Sequence, residues 1–88
     1  MPEWCTGYID MNGHEDFRKA IANMMQKTWV KSPVDAKYIA VQAGCGAILD
    51  SLAWSLCDEG DSCITPGPIY PAFPNDFQAR ARVNFVSA

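Results

Sequence analysis

Helix-type and strand-type patterns alternate along most of this chain, and this alternation restricts its fold more than any other feature. Apolar residues recur at helical spacing in some segments, and short runs rich in β-forming residues lie between them. The first predicted helix begins at His14, the second runs from about Gly46 to Cys57, and the third runs from Pro71 to about Ala79. The predicted strands are Tyr38–Ala43, Ser62–Thr65 and Arg82–Val86. Strands separated by helices pair in parallel through right-handed crossovers, so we expect an α/β fold with a mainly parallel sheet.

The first predicted helix is amphipathic. Its apolar stripe consists of Phe17, Ala20, Ile21, Met24, Met25 and Thr28. Asn12 is a plausible N-cap, and the acidic pair Glu15 and Asp16 suits the positive end of a helix. Ser32–Pro33 marks a break after the helix. The sequence therefore predicts that one face of this helix is buried and the other is solvated.

Size and charge exclude several classes of function. The chain has 88 residues, enough for one modest core, and a net charge of −3 without a basic cluster. Nucleic-acid binding needs a basic surface, so we expect no nucleic-acid partner. No apolar run approaches the ~20 residues of a membrane span, and the acidic, aromatic N-terminal stretch does not resemble a signal peptide, so no membrane partner is expected.

Four cysteines are present, at Cys5, Cys45, Cys57 and Cys63. Disulfides are one possibility for an even number in a short chain, but their spacing shows no regular framework. There is no Cys-x-x-Cys pair and His14 is the single histidine, so no metal site is predicted. We expect free, mostly buried thiols in a reducing compartment, consistent with a cytoplasmic location.

Two turns, each directly after a predicted strand, are the candidate functional segments. The first, AGCGA at 43–47, leads into the second helix, whose first amides lack partners within the helix. Those amides and the helix dipole form a potential anion site, and glycine lets a phosphate approach the backbone. The alternative is an ordinary tight turn in which glycine only relieves steric strain. The turn carries neither a Walker motif nor a Gly-x-Gly-x-x-Gly fingerprint.

The second turn, TPGPIYPAF at 65–73, contains three prolines that restrict its backbone. Tyr70 lies between two of them. In an open α/β sheet, ligands bind beyond the carboxyl ends of the strands, so both turns would face one crevice if their strands are neighbours. A rigid aromatic ring beside an anion site suits a flat, phosphorylated heteroaromatic ligand. Alternatively, Tyr70 and Phe73 are core aromatics beneath a loop.

Four stretches in register resemble one family. They are GYIDMNGHEDFRKAIANMM, YIAVQAGCGAILD, CDEGDSCITPGPIYPAF and the spacing into RVNFV. Together, over about residues 7–87, they are similar to the front half of the large domain of fold-type I pyridoxal-phosphate enzymes. The similarity is to class I aminotransferases, in particular those like 1-aminocyclopropane-1-carboxylate synthase. On this resemblance, residues 1–13 are an N-terminal loop region and residues 14–88 are part of the large domain.

The resemblance implies roles for individual residues toward pyridoxal 5′-phosphate. Gly44, Cys45 and Gly46 correspond to the turn that holds the cofactor phosphate through backbone amides. Tyr70 corresponds to the aromatic residue that stacks on the pyridine ring. Tyr8 corresponds to a tyrosine that reaches the cofactor phosphate of the other subunit, although a surface or core tyrosine is the alternative. The chain departs from the family at Gly46, where a threonine or serine often adds a hydroxyl, and at Gly67, which we interpret as a neutral substitution.

The family's catalytic residues lie later in the chain than the matched region. They include the Schiff-base lysine, for which no residue here can be assigned, and Lys19, Lys27, Lys31 and Lys37 are predicted to be surface charges. We therefore expect part of an amino-acid-transforming enzyme, an aminotransferase or lyase that is normally a homodimer, and an inactive chain when isolated. The alternative is a non-catalytic remnant that acts as an interaction module or binds phosphate ligands weakly.

Overall fold

A computed structural model describes residues 1–88, except for the side chain of Trp4. The chain divides into two compact units, Met1–Gln42 and Ala43–Ala88. The elements are helix α1 (Glu15–Met25) in the first unit, and helix α2 (Gly44–Leu56), strand β1 (Ser62–Thr65), helix α3 (Phe73–Gln78) and strand β2 (Asn84–Ser87) in the second. Short 3₁₀ turns lie at Glu3–Cys5 and Ala36–Tyr38, and a π-helical turn at Gln26–Val30 follows α1.

The first unit is organised around the buried side chain of Arg18, which is 6% exposed. Its Nε donates to the Gly13 carbonyl at 3.0 Å and its Nη1 donates to the Ala36 carbonyl at 3.1 Å. Its Nη2 forms an ion pair with Asp10 at 3.2 Å. Because a buried charge is tolerated only when it is paired and hydrogen-bonded, these contacts fasten the segment before α1 and the 3₁₀ turn after it to the helix.

The turn before α1 requires glycine at position 13. Gly13 has φ of +101°, and a Cβ there would lie 2.8 Å from the Cβ of Val41. The N-cap of α1 is His14, whose side chain makes no capping bond, so the predicted cap at Asn12 is wrong. The cap lies two residues later than the sequence suggested. The backbone carbonyl of Asn12 accepts from the Val41 amide at 2.9 Å.

The face that α1 buries differs from the predicted apolar stripe. Arg18 and Ala22 are its buried residues, whereas Phe17 and Met24 of the stripe are 51% and 42% exposed. The helix continues through the π-helical turn and ends at Lys31, which has φ of +50°. The amphipathic pattern therefore predicted the helix correctly, but this chain leaves part of the apolar face uncovered.

The strand predicted at Tyr38–Ala43 does not form. Residues 36–38 are a 3₁₀ turn in which the Asp35 carboxylate accepts from the Lys37 amide at 3.0 Å. The following residues are extended without a ladder, and the sheet consists of β1 and β2. β-forming composition describes side chains that fit a half-buried pleated surface, and it produces a strand only where a neighbouring strand supplies the hydrogen bonds.

In the second unit, β1 and β2 pair in parallel from Ser62↔Asn84 to Thr65↔Ser87, which confirms the predicted α/β class. Strand β1 has the predicted bounds, whereas β2 begins two residues later than expected. The core consists of the buried Ala53, Ala81 and Val83, against which Cys57, Cys63 and Phe77 pack. The rings of Phe77 and Phe85 lie 5.3 Å apart and join α3 to the sheet.

The two faces of the sheet differ in exposure. Cys63 and its partner Phe85 are half-buried, whereas the next pair, Ile64 and Val86, is 71% and 45% exposed. This alternation follows the period of two of a pleated strand. One face is packed against the core, and the other presents apolar side chains to solvent.

All four cysteines are free thiols, but the expectation that most are buried is wrong. Cys5 and Cys45 are exposed, and Cys57 and Cys63 are half-buried. Among the described residues, no helix has the length and apolar character needed to cross a membrane.

Candidate functional site

The first turn of α2 exposes backbone amides that have no side-chain cap. The helix begins at Gly44, two residues earlier than predicted, and its N-cap is Ala43, which has no side-chain oxygen to accept from those amides. Gly44, Cys45 and Gly46 are all exposed. The first amides of any α-helix lack intrahelical partners, so this turn offers donors and the positive end of a dipole to an anion.

Gly44 gives the turn its shape. Its φ is +88°, a conformation that favours glycine, and a Cβ at this position would have no atom within 4 Å. The open space means that the glycine is required by the backbone conformation rather than by a neighbouring residue. A ligand atom can therefore approach the backbone closely here, as a phosphate-binding turn requires.

Tyr70 lies in the loop between β1 and α3 and is 65% exposed. Its ring contacts that of Phe73 in a T-shaped arrangement, with centroids 5.5 Å apart and planes inclined by 66°. Its carbonyl accepts from the Phe73 amide at 3.2 Å. The alternative that both rings are core aromatics does not apply to Tyr70, whose ring contacts Phe73 and is accessible for stacking.

The loop before Tyr70 is attached to the end of β2. The Gly67 amide donates to the Ala88 carbonyl at 2.8 Å, and the Ala88 amide donates to the Thr65 carbonyl at 2.9 Å. A Cβ on Gly67 would lie 2.7 Å from the Ser87 Oγ. A larger residue at 67 would therefore require the Ser87 hydroxyl to move, which a side-chain rotation can provide, and the neutrality of glycine at this position stays a prediction.

Helix α3 connects the two turns. Its first residue, Phe73, contacts Tyr70, and its Asp76 lies beside the start of α2, where an ideal Cβ on Gly46 would be 3.3 Å from Asp76 Oδ1. The sequence had suggested that the two turns share a crevice at the ends of two strands. The described structure instead links them within one unit through α3, since no strand precedes Gly44.

Tyr8, the third predicted cofactor residue, belongs to the first unit, and its side chain is fully exposed. Among the described residues, no ring or hydrogen-bond contact holds its side chain in place. Its predicted role therefore stays a prediction.

The lysines carry the charge expected of surface groups. Lys19 Nζ pairs with Glu15 at 2.6 Å, and Lys37 Nζ pairs with Asp35 at 3.2 Å. The hydrogen bond and charge of Glu15 raise the pKa of Lys19, and hydrogen bonds to Tyr38 and Asp35 raise the pKa of Lys37. A nucleophilic lysine needs a lowered pKa, so the shifts of these two residues are opposite to those of a covalent catalyst.

Two charged residues, Arg80 and Asp76, were not identified from the sequence. Arg80 forms a two-point ion pair with Asp50, with Nη2–Oδ2 and Nε–Oδ1 distances of 2.7 and 3.2 Å. Its guanidinium lies 4.6 Å from the centre of the Trp54 ring. These contacts join α2 to the residues after α3, and the Asp50 side chain is 34% exposed. Asp76 was not singled out either, because its proximity to Gly46 depends on how α3 packs.

A fold with a parallel sheet and a glycine turn at a helix start has known counterparts. The crystal structure of a Methanococcus jannaschii protein, described as similar in its active site to kynurenine aminotransferases, aligns with a TM-score of 0.76 at 23% identity. The alignment covers 97% of this chain and 22% of that one. At this identity the likeness establishes the shared fold.

The sequence comparison establishes the family. The sequence model of the family aminotransferase class I and II matches residues 3–87, and the chain belongs to that family. It is 37% identical over 80 residues to 1-aminocyclopropane-1-carboxylate synthase 5 of Oryza sativa subsp. japonica, and 33% identical over 80 residues to synthase 2 of Solanum lycopersicum. Each alignment covers 90% of this chain but only 15% and 16% of the two relatives, so the chain spans about a sixth of their length.

Proposed function

We propose that this chain supplies part of the cofactor site of a pyridoxal-phosphate-dependent enzyme that acts on amino acids. The enzyme would be an aminotransferase or a lyase like 1-aminocyclopropane-1-carboxylate synthase. The observation that carries the proposal is the first turn of α2, where exposed amides without a side-chain cap follow a glycine at φ of +88°. Membership of the aminotransferase family gives that turn a ligand class.

The residues present fit the phosphate of this cofactor. Gly44, Cys45 and Gly46 offer backbone amides, which bind phosphate through hydrogen bonds and the helix dipole. Cys45 contributes its amide, so its thiol is not required. The Asp76 carboxylate lies nearby and opposes an anion at this position.

Tyr70 is proposed to hold the cofactor ring by stacking. Its ring contacts Phe73 and is 65% exposed, and the contact limits the conformational entropy lost when a flat ligand binds. When bound, pyridoxal phosphate supplies an electron sink for the substrate carbanion. The part of this chain is to bind and orient the phosphate and the ring.

The isolated chain is proposed to be inactive, because its lysines lie in the first unit and two of them are paired with carboxylates. In the complete enzyme, which we propose is a homodimer, Tyr8 would serve the cofactor of the partner subunit. Its full exposure is consistent with a residue that acts outside its own chain.

Equilibrium binding tests the cofactor proposal. Pyridoxal phosphate and pyridoxal, which lacks the phosphate, are titrated separately into the 88-residue chain, and binding is followed by fluorescence and ultrafiltration. We expect the phosphate-bearing compound to bind at least ten times more tightly, since the α2 amides recognise the phosphate. Equal affinities would contradict the proposal.

Absorbance tests the claim that the chain carries no covalent catalyst. Pyridoxal phosphate reacts with a lysine to give a characteristic absorbance band, and we expect none that depends on a single site. Each of Lys19, Lys27, Lys31 and Lys37 is replaced by glutamine in turn. A band that disappears in one variant only would identify a specific lysine and refute the claim.

A further inference from the structure

We infer that Asp76 determines which anions the start of α2 accepts, and that Gly46 is the residue that its carboxylate requires. The inference rests on the proposed phosphate site and extends it to selectivity among phosphate monoesters and other anions by their charge. The observation is geometric, because an ideal Cβ on Gly46 would lie 3.3 Å from Asp76 Oδ1 and 3.8 Å from both Cγ and Oδ2. The whole carboxylate therefore lies alongside the first turn of α2.

The Asp76 carboxylate has no competing partner. Within the described part of the chain, it forms no ion pair, and the side chain is half-buried. The positive end of the α2 dipole favours a negative group at this place. A phosphate that binds the amides of Gly44–Gly46 must consequently share the site with a negative charge, and the repulsion rises with the charge of the anion.

The same contact explains why glycine occupies position 46, where related enzymes often have serine or threonine. A side chain at 46 would place its Cβ closer to Asp76 Oδ1 than almost all Cβ contacts allow, so the carboxylate would have to shift. Its hydroxyl would also donate to the carboxylate, which is a stronger acceptor than a neutral group. With Asp76 present, the carboxylate therefore competes with a bound phosphate for a hydroxyl at 46.

Neutralising Asp76 tests the charge effect. Inorganic phosphate is titrated into the chain, and its affinity is read from the amide chemical shifts of Gly44–Gly46. We expect Asp76→Asn to tighten binding about fivefold, which is the effect of removing one charge at ~5 Å in a watery environment. The control is Asp58→Asn, which makes the same charge change just beyond the other end of α2, ~20 Å from its start and well outside the Debye length.

Equal affinities for the Asp76→Asn variant and the wild-type chain, or an equal gain in Asp58→Asn, would overturn the inference and leave the proposed phosphate site standing. If phosphate moves none of these amides in any variant, the phosphate site itself fails, and the inference fails with it. Amide spectra that overlay those of the wild type outside residues 44–47 and 73–78 show that each variant is folded.

A second pair of variants tests the coupling of the two residues. Gly46→Ser is expected to leave the affinity for phosphate unchanged or lower it in the wild-type chain, but to raise it about threefold when combined with Asp76→Asn, since the hydroxyl is then free to bond the anion. Additive effects of the two substitutions would show that Gly46 and Asp76 act independently, which would overturn the coupling.

Discussion

Arg18 shows how much one side chain contributes to the stability of a unit with few buried residues. Its guanidinium bonds to the Gly13 and Ala36 carbonyls and to the Asp10 carboxylate, and Ala22 is the other buried residue of α1. Three segments of the first unit therefore depend on a polar centre where an apolar core would be usual. The loss of this centre leaves two part-buried carbonyls without donors.

Replacement of Arg18 by glutamine is expected to lower the free energy of unfolding by about 2 kcal/mol, since two carbonyls lose their donors while the half-exposed Asp10 regains water. Urea denaturation followed by circular dichroism measures the change. Lys19→Gln, one residue along, removes an exposed charge and should have little effect. Equal losses in the two variants would contradict the structural role of Arg18.

Tyr70→Ala is expected to weaken pyridoxal-phosphate binding about tenfold, because base- and ring-stacking contacts contribute ~1–3 kcal/mol each. Cys45→Ala should not change the affinity, since it keeps the backbone amide that the phosphate uses. The measurement is the equilibrium titration described for the chain. A loss of similar size in both variants would show that the Cys45 side chain takes part.

Among the individual residues of the candidate site, the sequence singled out Gly44 and Tyr70 by their positions but did not single out Asp76. A glycine turn and a proline-bounded tyrosine carry local signals in their neighbours. Asp76 carries none, because its place beside Gly46 results from packing between α2 and α3. Contacts between elements are not encoded in the residues adjacent in sequence.

Among the elements, α1 has the clearest electrostatic support. Glu15 and Lys19 are one turn apart and form an ion pair, in the orientation that suits the helix dipole. The hydrogen bond and charge of Lys19 lower the pKa of Glu15 below its ordinary 4.5. Glu15 raises the pKa of Lys19 above its ordinary 10.5. Both groups are exposed, so the contribution to stability is small.

The sign of each pKa shift fixes the pH dependence of α1. A lowered carboxyl pKa gives stability that is present above 4.5 and is lost as the pH falls through the folded-state value. A raised ammonium pKa gives stability that is present below 10.5 and is lost as the pH rises through the folded-state value. We expect Glu15→Gln to remove part of the acid-induced loss of amide protection in α1, measured by hydrogen exchange, and Asp16→Asn to remove less. An unchanged acid profile in Glu15→Gln would contradict the pairing.

The elements also differ in how well the sequence predicted them. The start of α1 and both ends of α2, α3, β1 and β2 were predicted within two residues, because their periodicity and flanking breaks are local. The segment Tyr38–Ala43 has the composition of a strand but not the structure, since the Val41 amide donates to the Asn12 carbonyl and the sheet of the described residues consists of β1 and β2 alone. Strand formation depends on a neighbour that the segment itself cannot specify.

For the molecule as a whole, the unusual property is the apolar surface. Large hydrophobic side chains that are more than half exposed occur in both units: Met1, Tyr8, Met11, Phe17, Trp29, Tyr38, Trp54, Leu56, Ile64 and Tyr70. Soluble monomers rarely expose large contiguous apolar patches. The open face of the β1–β2 sheet, with Ile64 and Val86 side by side, is part of it.

Ile64→Lys is expected to reduce the self-association of the isolated chain and its binding of a hydrophobic dye, because it places a charge on the open sheet face. Analytical ultracentrifugation and dye fluorescence measure these effects. Ser62→Lys adds the same charge to the same strand without removing apolar area, and it should have a smaller effect. An equal reduction would mean that net charge, rather than the apolar face, controls association.

The central claim is that the start of α2 and Tyr70 bind one ligand, with the phosphate on the amides and the ring on the tyrosine. The most direct test is to follow the backbone amides and the Tyr70 ring by NMR while pyridoxal phosphate is added. We expect the signals of Gly44–Gly46 and Tyr70 to shift together with one dissociation constant, and pyridoxal to leave the three amides unmoved. Shifts of Tyr70 without those amides, or equal shifts with both compounds, would contradict it.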